Sequence, residues 1–334
     1  MTTSREIRLK SRPNGLPTAD NFDLVSVELP APGPGEVQVR NTWMTVDPYM
    51  RGRMNDVKSY TPPFQIGEVL AGGAVGEVIA SNDPSLKVGD LVQSNNGWRE
   101  AFNAAASTVS KLNLHGLPPE AFLGVAGMPG LTAYVGLLKI AALKPGDVVF
   151  VSGAAGAVGS LVCQIAKLKG HKVIASAGGP EKVKFLKDQL GVDVAIDYKA
   201  TTNLTADLMS AAPEGIDVYF ENVGGVHLEA ALNAAAANAR FAICGMISQY
   251  NATAPVPGPG NMALIIGKQI RMEGFIVSNS WDMMPAFLKD LAEWHSSGRL
   301  QWKQTVREGI ENAPSAFLGL FSGENFGKML VKLS

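Results

Sequence analysis

Three glycines at a fixed spacing, Gly153, Gly156 and Gly159, stand where the apolar run VVFV (148 to 151) gives way to SLVCQIAKLKG. A turn of this kind between a buried strand and a helix sets bare backbone N–H groups and the positive end of a helix against a pyrophosphate. Gly153 is expected to permit the tight turn, Gly156 the close approach of the phosphates, and Gly159 the packing of a helix that opens near Gly156. About 20 residues further on, a chain that binds NAD places Asp or Glu on the ribose 2′-hydroxyl. Here the sequence reads Ser176, Ala177, Gly178, Gly179. With no carboxylate to repel a 2′-phosphate, and Lys182 on the next turn to meet it, the reading is NADPH/NADP+. Metal chemistry has no donors to work with, since catalytic zinc needs thiolates and imidazoles and residues 1–150 hold only His115 and no cysteine. His171, His227 and His295 read as solvated or helix-capping side chains. Cys163 and Cys244 read as buried thiols. No metal is expected.

These residues need elements to hold them. From about Leu131 the pattern alternates between helix and strand: LTAYVGLLKI, DVVFV, LVCQIAKLKG, KVIAS, KVKFLKDQL. Such alternation signals parallel βαβ units. Further strands are expected at 193–197, 216–221, 239–245 and 270–277, with a helix over LEAALNAAAA, which completes a six-stranded sheet for a dinucleotide. APVPGPGN (254 to 261) is a loop, because its prolines and glycines suit neither helix nor central strand. Residues before about 125 form short β-runs such as EVQVR (36 to 40) and AVGEVIA (74 to 80), broken by Pro and Gly. After a helix near DMMPAFLKDLAEWHSSG, the tail returns to short strands, QTVREGI and KMLVKL, around the helix AFLGLFSG.

The 334 residues exceed what one hydrophobic core usually serves. Three segments are expected: 1–127, β-rich and catalytic; 128–298, nucleotide-binding; and 299–334, returning to the first. A net charge of −1, from 29 basic and 30 acidic side chains, provides no field to hold nucleic acid or an anionic membrane. The charged opening MTTSREIRLK lacks the apolar run of a signal peptide, and no stretch approaches the ~18 apolar residues of a membrane span. A cytoplasmic enzyme is expected.

VDPYMRGRM (46 to 54), SYTPPFQIGEVLAGGAVGEVIAS (59 to 81), GMPGLTAYVGL (127 to 137), SGAAGAVGS (152 to 160), EKVKFLK (181 to 187), DYK (197 to 199), FENVGG (220 to 225), CGMISQYN (244 to 251), GFIV (274 to 277) and ENFGKM (324 to 329) carry a resemblance that runs nearly end to end. The chain resembles the zinc-independent medium-chain dehydrogenases/reductases, in the branch of leukotriene B4 dehydrogenase/prostaglandin reductase, plant alkenal double-bond reductases and bacterial NADPH-dependent curcumin reductase. The resemblance implies an α/β chain with a GroES-like β-rich catalytic domain and a Rossmann doubly wound parallel sheet. It implies reduction of the C=C bond of α,β-unsaturated ketones or aldehydes, small apolar enones or enals, by a homodimer. Carried over by position, Gly153, Ala154, Ala155, Gly156, Ala157, Val158 and Gly159 would lie on the pyrophosphate and Lys182 on the 2′-phosphate. Tyr198, Asn222, Cys244, Gly245, Met246, Ile247, Ser248, Tyr250, Phe275, Ile276, Val277 and Asn325 would line the adenosine and nicotinamide sites.

Hydride addition to an enone builds charge on its carbonyl oxygen, which asks for one neutral donor rather than a strong base. A phenol with its ordinary pKa of about 10 suits this. Tyr250, Tyr49 and Tyr60 are the candidates, in that order. Arg51 is a candidate for an acidic substrate tail or a surface ion pair. Trp43, Met44, Met50, Met54 and Met246 either line an apolar pocket or form ordinary core. A quinone reductase and a non-catalytic NADPH-binding protein remain alternatives at this stage.

Overall fold

The computed structural model describes residues 1–333. The chain divides into two units: Met1–Gly124 joined by the segment that begins at Gln304, and Val125–Lys303.

The first unit is β-rich. β1 (Thr2–Leu9) pairs antiparallel with β2 (Phe22–Leu29) along its whole length. β3 (Glu36–Thr45), followed by the short helix α1 (Met50–Arg53), is flanked by β4 (Ala74–Ser81) and β6 (Ala101–Ala105). β5 (Leu91–Ser94) pairs β4, and β7 (Ser110–Lys111) pairs β5. Gly76 is needed inside β4, because a Cβ there would meet the Val39 side chain at 2.8 Å.

The second unit begins with α2 (Met128–Val135), which runs into a single π-turn over Gly136–Ile140 instead of continuing as the α-helix expected for LTAYVGLLKI. A Cβ at Gly136 would lie 2.5 Å from Phe220 and 2.6 Å from Phe275, so only glycine admits both rings. β8 (Val148–Val151), α3 (Gly159–Leu168), β9 (Lys172–Ala177), α4 (Pro180–Asp188), β10 (Val194–Asp197), α5 (Leu204–Ala211), β11 (Ile216–Glu221), α6 (Val226–Ala234), β12 (Ala235–Ile243), α7 (Leu264–Gly267), β13 (Arg271–Gly274) and α8 (Met284–Ser296) follow. The six strands are parallel in the order β10-β9-β8-β11-β12-β13. That order reverses between β8 and β11, and the crevice at such a reversal is where open α/β sheets bind ligands.

Two of the expected elements are altered, the first for a clear reason. The alanine run is not helical throughout: α6 stops at Ala234, and Ala235–Ala237 begin β12. The Lys268 ammonium donates to the carbonyls of Leu232, Asn233 and Ala235 at 3.3, 2.7 and 2.8 Å, closing the negative end of α6. A Cβ at Gly215 would lie 2.6 Å from the Ala236 nitrogen, so the chains approach too closely there for larger residues. Tertiary pairing thus overrides alanine's helix propensity. The strand expected at 270–277 closes at Gly274, and Phe275–Val277 turn out of the sheet.

β14 (Gln304–Glu308), α9 (Ala313–Ser322) and β15 (Lys328–Lys332) complete the first unit, with β15 between β14 and β3. Phe317 of α9 meets Phe22 and Trp98 edge-on in its core. Residues 125–127 and 299–303 belong to the second unit rather than to the segments the sequence assigned them. Gln164 and Gln301 exchange two hydrogen bonds, at 2.9 and 3.0 Å, and the Lys303 ammonium lies 4.7 Å from the Phe185 ring centre. No helix among the described residues is long and apolar enough to cross a membrane.

Candidate functional site

Within the second unit the site is assembled at the carboxyl ends of β8 and β11. Gly153 takes φ +58°, open mainly to glycine, and the Ala154 N–H is held by the Ser176 carbonyl at 2.9 Å. The first helical residue is Gly159 and not Gly156, so residues 153–158 form a longer turn than expected. Gly159 is obligatory for a local reason: a Cβ there would stand 2.5 Å from the Gly153 oxygen and 2.8 Å from the Ala154 Cα. The turn therefore folds over the start of α3 and takes up N–H groups of its first turn: Ser160 donates to the Gly156 carbonyl and Leu161 to the Val158 carbonyl, each at 3.1 Å.

Buried hydrogen bonds brace this turn. The Ser152 hydroxyl donates to Glu221 Oε1 at 2.8 Å and accepts the Asn222 N–H at 2.9 Å, while Asn222 Nδ2 donates to the Ser152 carbonyl at 2.7 Å. The Val223 N–H donates to the same Glu221 oxygen at 2.7 Å. The motifs FENVGG and CGMISQYN are themselves joined: the Cys244 and Gly245 N–H groups donate to the Glu221 carbonyl, Ile247 to Asn222, and Ser248 to Val223. Tyr250 turns back over this run, its hydroxyl 3.4 Å from the Met246 N–H it accepts. Burial and the Glu221 charge push the Cys244 thiol up to about 12, so it is no thiolate nucleophile at neutral pH.

A second cluster lies at the end of β9. A Cβ at Gly178 would meet Lys199 Cε at 2.8 Å and the Tyr198 hydroxyl at 2.9 Å, so these two side chains close over bare backbone. Lys182, third residue of α4, is lowered in pKa by burial and then by the charge of Lys199. The Tyr198 ring meets His227 edge-on, with centroids 5.0 Å apart. His171 and His227 are not the solvated or capping residues expected. Both are buried: His171 Nδ1 lies 3.0 Å from the Asp147 carbonyl, and burial lowers His227 to about 4.

The first unit carries its own cluster around α1. Burial and the Asp47 carboxylate raise the Tyr49 phenol above its ordinary range, opposed by the adjacent Arg53 guanidinium. Arg53 also donates to the Pro62 carbonyl at 2.9 Å and lies 4.0 Å from the Phe64 ring centre. Tyr60, 62% exposed, bears on both Tyr49 and Arg53. Asp47 is anchored by Lys328 at 2.6 Å and by the Thr45 hydroxyl at 2.8 Å. Arg51 is neither a substrate clamp nor a surface residue. It is buried, donating to the Gly15 carbonyl at 2.7 Å and to Asn55 at 2.8 Å. Met44, Met50 and Met54 are fully buried core, Trp43 packs with Val75, Leu123 and Leu330, and Met246 packs on the core of the second unit. The pocket alternative fails for the three core methionines. Asn325 donates to the Gly327 carbonyl within the first unit.

Glu221, Lys199 and Arg53 lie within motifs that carry the resemblance, but sequence reasoning assigned them no role. The first is an isolated acid after an apolar strand, and the other two are ordinary surface cations until the fold gives them neighbours. Among the described residues, no three His, Cys, Asp or Glu side chains converge as a metal site would require.

Residues 5–112 match the family described as the N-terminal domain of oxidoreductase, and residues 157–293 the family described as zinc-binding dehydrogenase. The chain is 41% identical to the NADPH-dependent curcumin reductase of Escherichia coli, over 98% of this chain and 96% of that protein. It is 43% identical to prostaglandin reductase 1 of Bos taurus (99% and 100%) and 40% identical to the NADP(+)-dependent 2-alkenal reductase of Nicotiana tabacum (99% and 98%). The crystal structure of CurA from Vibrio vulnificus in complex with NADPH superposes with a TM-score of 0.94 at 44% identity, covering 99% of each chain. The chain belongs to the zinc-independent branch of the medium-chain dehydrogenase/reductase family.

Proposed function

We propose that this NADP-dependent oxidoreductase reduces the C=C bond of α,β-unsaturated ketones and aldehydes. One observation carries the reading: a likeness over nearly the whole chain to reductases named for curcumin and for 2-alkenals, compounds that share a C=C bond conjugated to a carbonyl. The residues suit NADPH. The turn at 153–159, with glycine at 153, 156 and 159, lets a pyrophosphate approach the backbone closely, and Lys182 with Tyr198 offers a cation and a phenol to a 2′-phosphate.

When bound, the nicotinamide supplies the hydride that adds to the substrate β-carbon. The protein must then hold the enolate oxygen with a donor and see a proton delivered to the α-carbon. Tyr49 suits the first task, because burial and Asp47 keep its phenol protonated at any physiological pH. Its turn is fixed by the Asp47–Lys328 pair. Tyr250 is the second donor proposed, beside the run 244–248, and Tyr60 is the third.

The test compares NADPH oxidation with a 2-alkenal, an aryl enone, their saturated analogues and a simple quinone, and identifies the products. Loss of the alkene with retention of the carbonyl is expected; turnover of the quinone alone would sink the reading. Tyr49→Phe should lower kcat on enones roughly 100-fold while leaving NADPH affinity within about twofold. Unchanged turnover in both Tyr49→Phe and Tyr250→Phe would take these phenols out of the chemistry.

A further inference from the structure

We propose that Lys199 is the second arm of a two-lysine clamp on the ribose 2′-phosphate, and so sets the preference for NADPH over NADH. The inference rests on the NADPH reading above and adds to it a residue that neither the glycine turn nor the position of Lys182 points to.

The clamp is built from two turns fastened to one another. The Asp197 carboxylate, at the end of β10, accepts the Gly179 N–H at 2.9 Å and the Lys199 N–H at 3.0 Å, and the Tyr198 N–H donates to the Ala177 carbonyl at 3.1 Å. The exit of β10 is thereby held against the exit of β9. Lys199 and Tyr198 consequently reach over Gly178, where the absence of a side chain leaves them room. Lys182 rises from the first turn of α4, close enough that the Lys199 charge lowers its pKa. Two like charges held together are unfavourable unless an anion joins them. A phosphomonoester, with about −1.5 to −2 charges at neutral pH, matches two ammonium groups better than one. The neighbouring N-terminus of α4 adds to the same field.

The test titrates the full-length wild type, Lys199→Ala, Lys199→Glu and Lys182→Ala with NADPH and NADH by fluorescence. Adenosine 2′,5′-bisphosphate and 5′-AMP serve as probes that carry no redox chemistry. Lys199→Ala should weaken NADPH and the bisphosphate about tenfold, as loss of one charge-assisted contact does, with NADH and 5′-AMP within about twofold. Lys199→Glu should weaken the phosphorylated ligands further. A change shared equally by all four ligands, or none, overturns the proposal. If Lys182→Ala discriminates and Lys199→Ala does not, the clamp falls and the NADPH reading stands. If the wild type binds bisphosphate and 5′-AMP alike, both fall together.

Discussion

Asp47 in the β-rich unit and Glu221 in the parallel-sheet unit face the same problem in different ways. Each is a carboxylate with 5% or less of its surface exposed. Asp47 is met by a cation, the Lys328 ammonium, itself 4% exposed and lowered in pKa by burial against the pull of Asp47. Glu221 is met by the Ser152 hydroxyl and the Val223 N–H, with the buried Tyr219 hydroxyl beside it. The first arrangement joins distant chain segments, since Asp47 follows β3 and Lys328 opens β15. The second braces adjacent strand ends and sets the floor of the glycine turn. An ion pair of this kind tolerates the loss of neither partner, whereas a carboxylate held by neutral donors can be replaced by its amide.

The largest effect should come from Lys328→Ala, which leaves Asp47 charged, buried and without its cation. Stability should fall by about 3–5 kcal/mol, measured by urea unfolding, and replacing both partners with apolar residues should recover much of the loss. A loss within error would mean that water reaches Asp47 and that the two carboxylates do not differ.

His227 extends the comparison to a buried base without a counter-charge. Its folded pKa of about 4 lies below the ordinary 6.5, so folding disfavours its protonated form. Its effect on stability is nil above pH 6.5 and grows unfavourable as pH falls toward 4, reaching about 3 kcal/mol there. Unfolding curves of wild type and His227→Phe should therefore diverge over that window, the wild type losing more. Parallel curves would show that the ring finds solvent or a partner.

Glu221→Gln should have the smallest effect, about 1 kcal/mol or less, because an amide oxygen can still accept from Ser152 and Val223. A loss as large as that of Lys328→Ala would show that the Glu221 charge is itself structural.

Local rules made the parallel-sheet unit legible. Gly153 is fixed by its own positive φ and Gly159 by contacts with Gly153 and Ala154, within six residues of chain, and the alternation of helix and strand is written in periodicity. The β-rich unit's cluster was less legible, because Arg53 meets the Pro62 carbonyl and the Phe64 ring only when the segment to Phe64 folds back on α1. Arg51 failed as a candidate for the same reason: its acceptor, the Gly15 carbonyl, lies 36 residues away in sequence. The alanine run misled because propensity is local, while the pairing of Ala235 with Ile216 of β11 is not.

By itself, then, the sequence determined the six-strand alternation, the glycine turn and the lack of an acid near Gly178, all properties of short segments and their steric limits. Tertiary structure alone decided which charges are buried and which cations share a site. Burial and pairing depend on segments far apart in the chain: Lys328 meets Asp47, and Lys199 closes over Gly178, only once the sheets have formed.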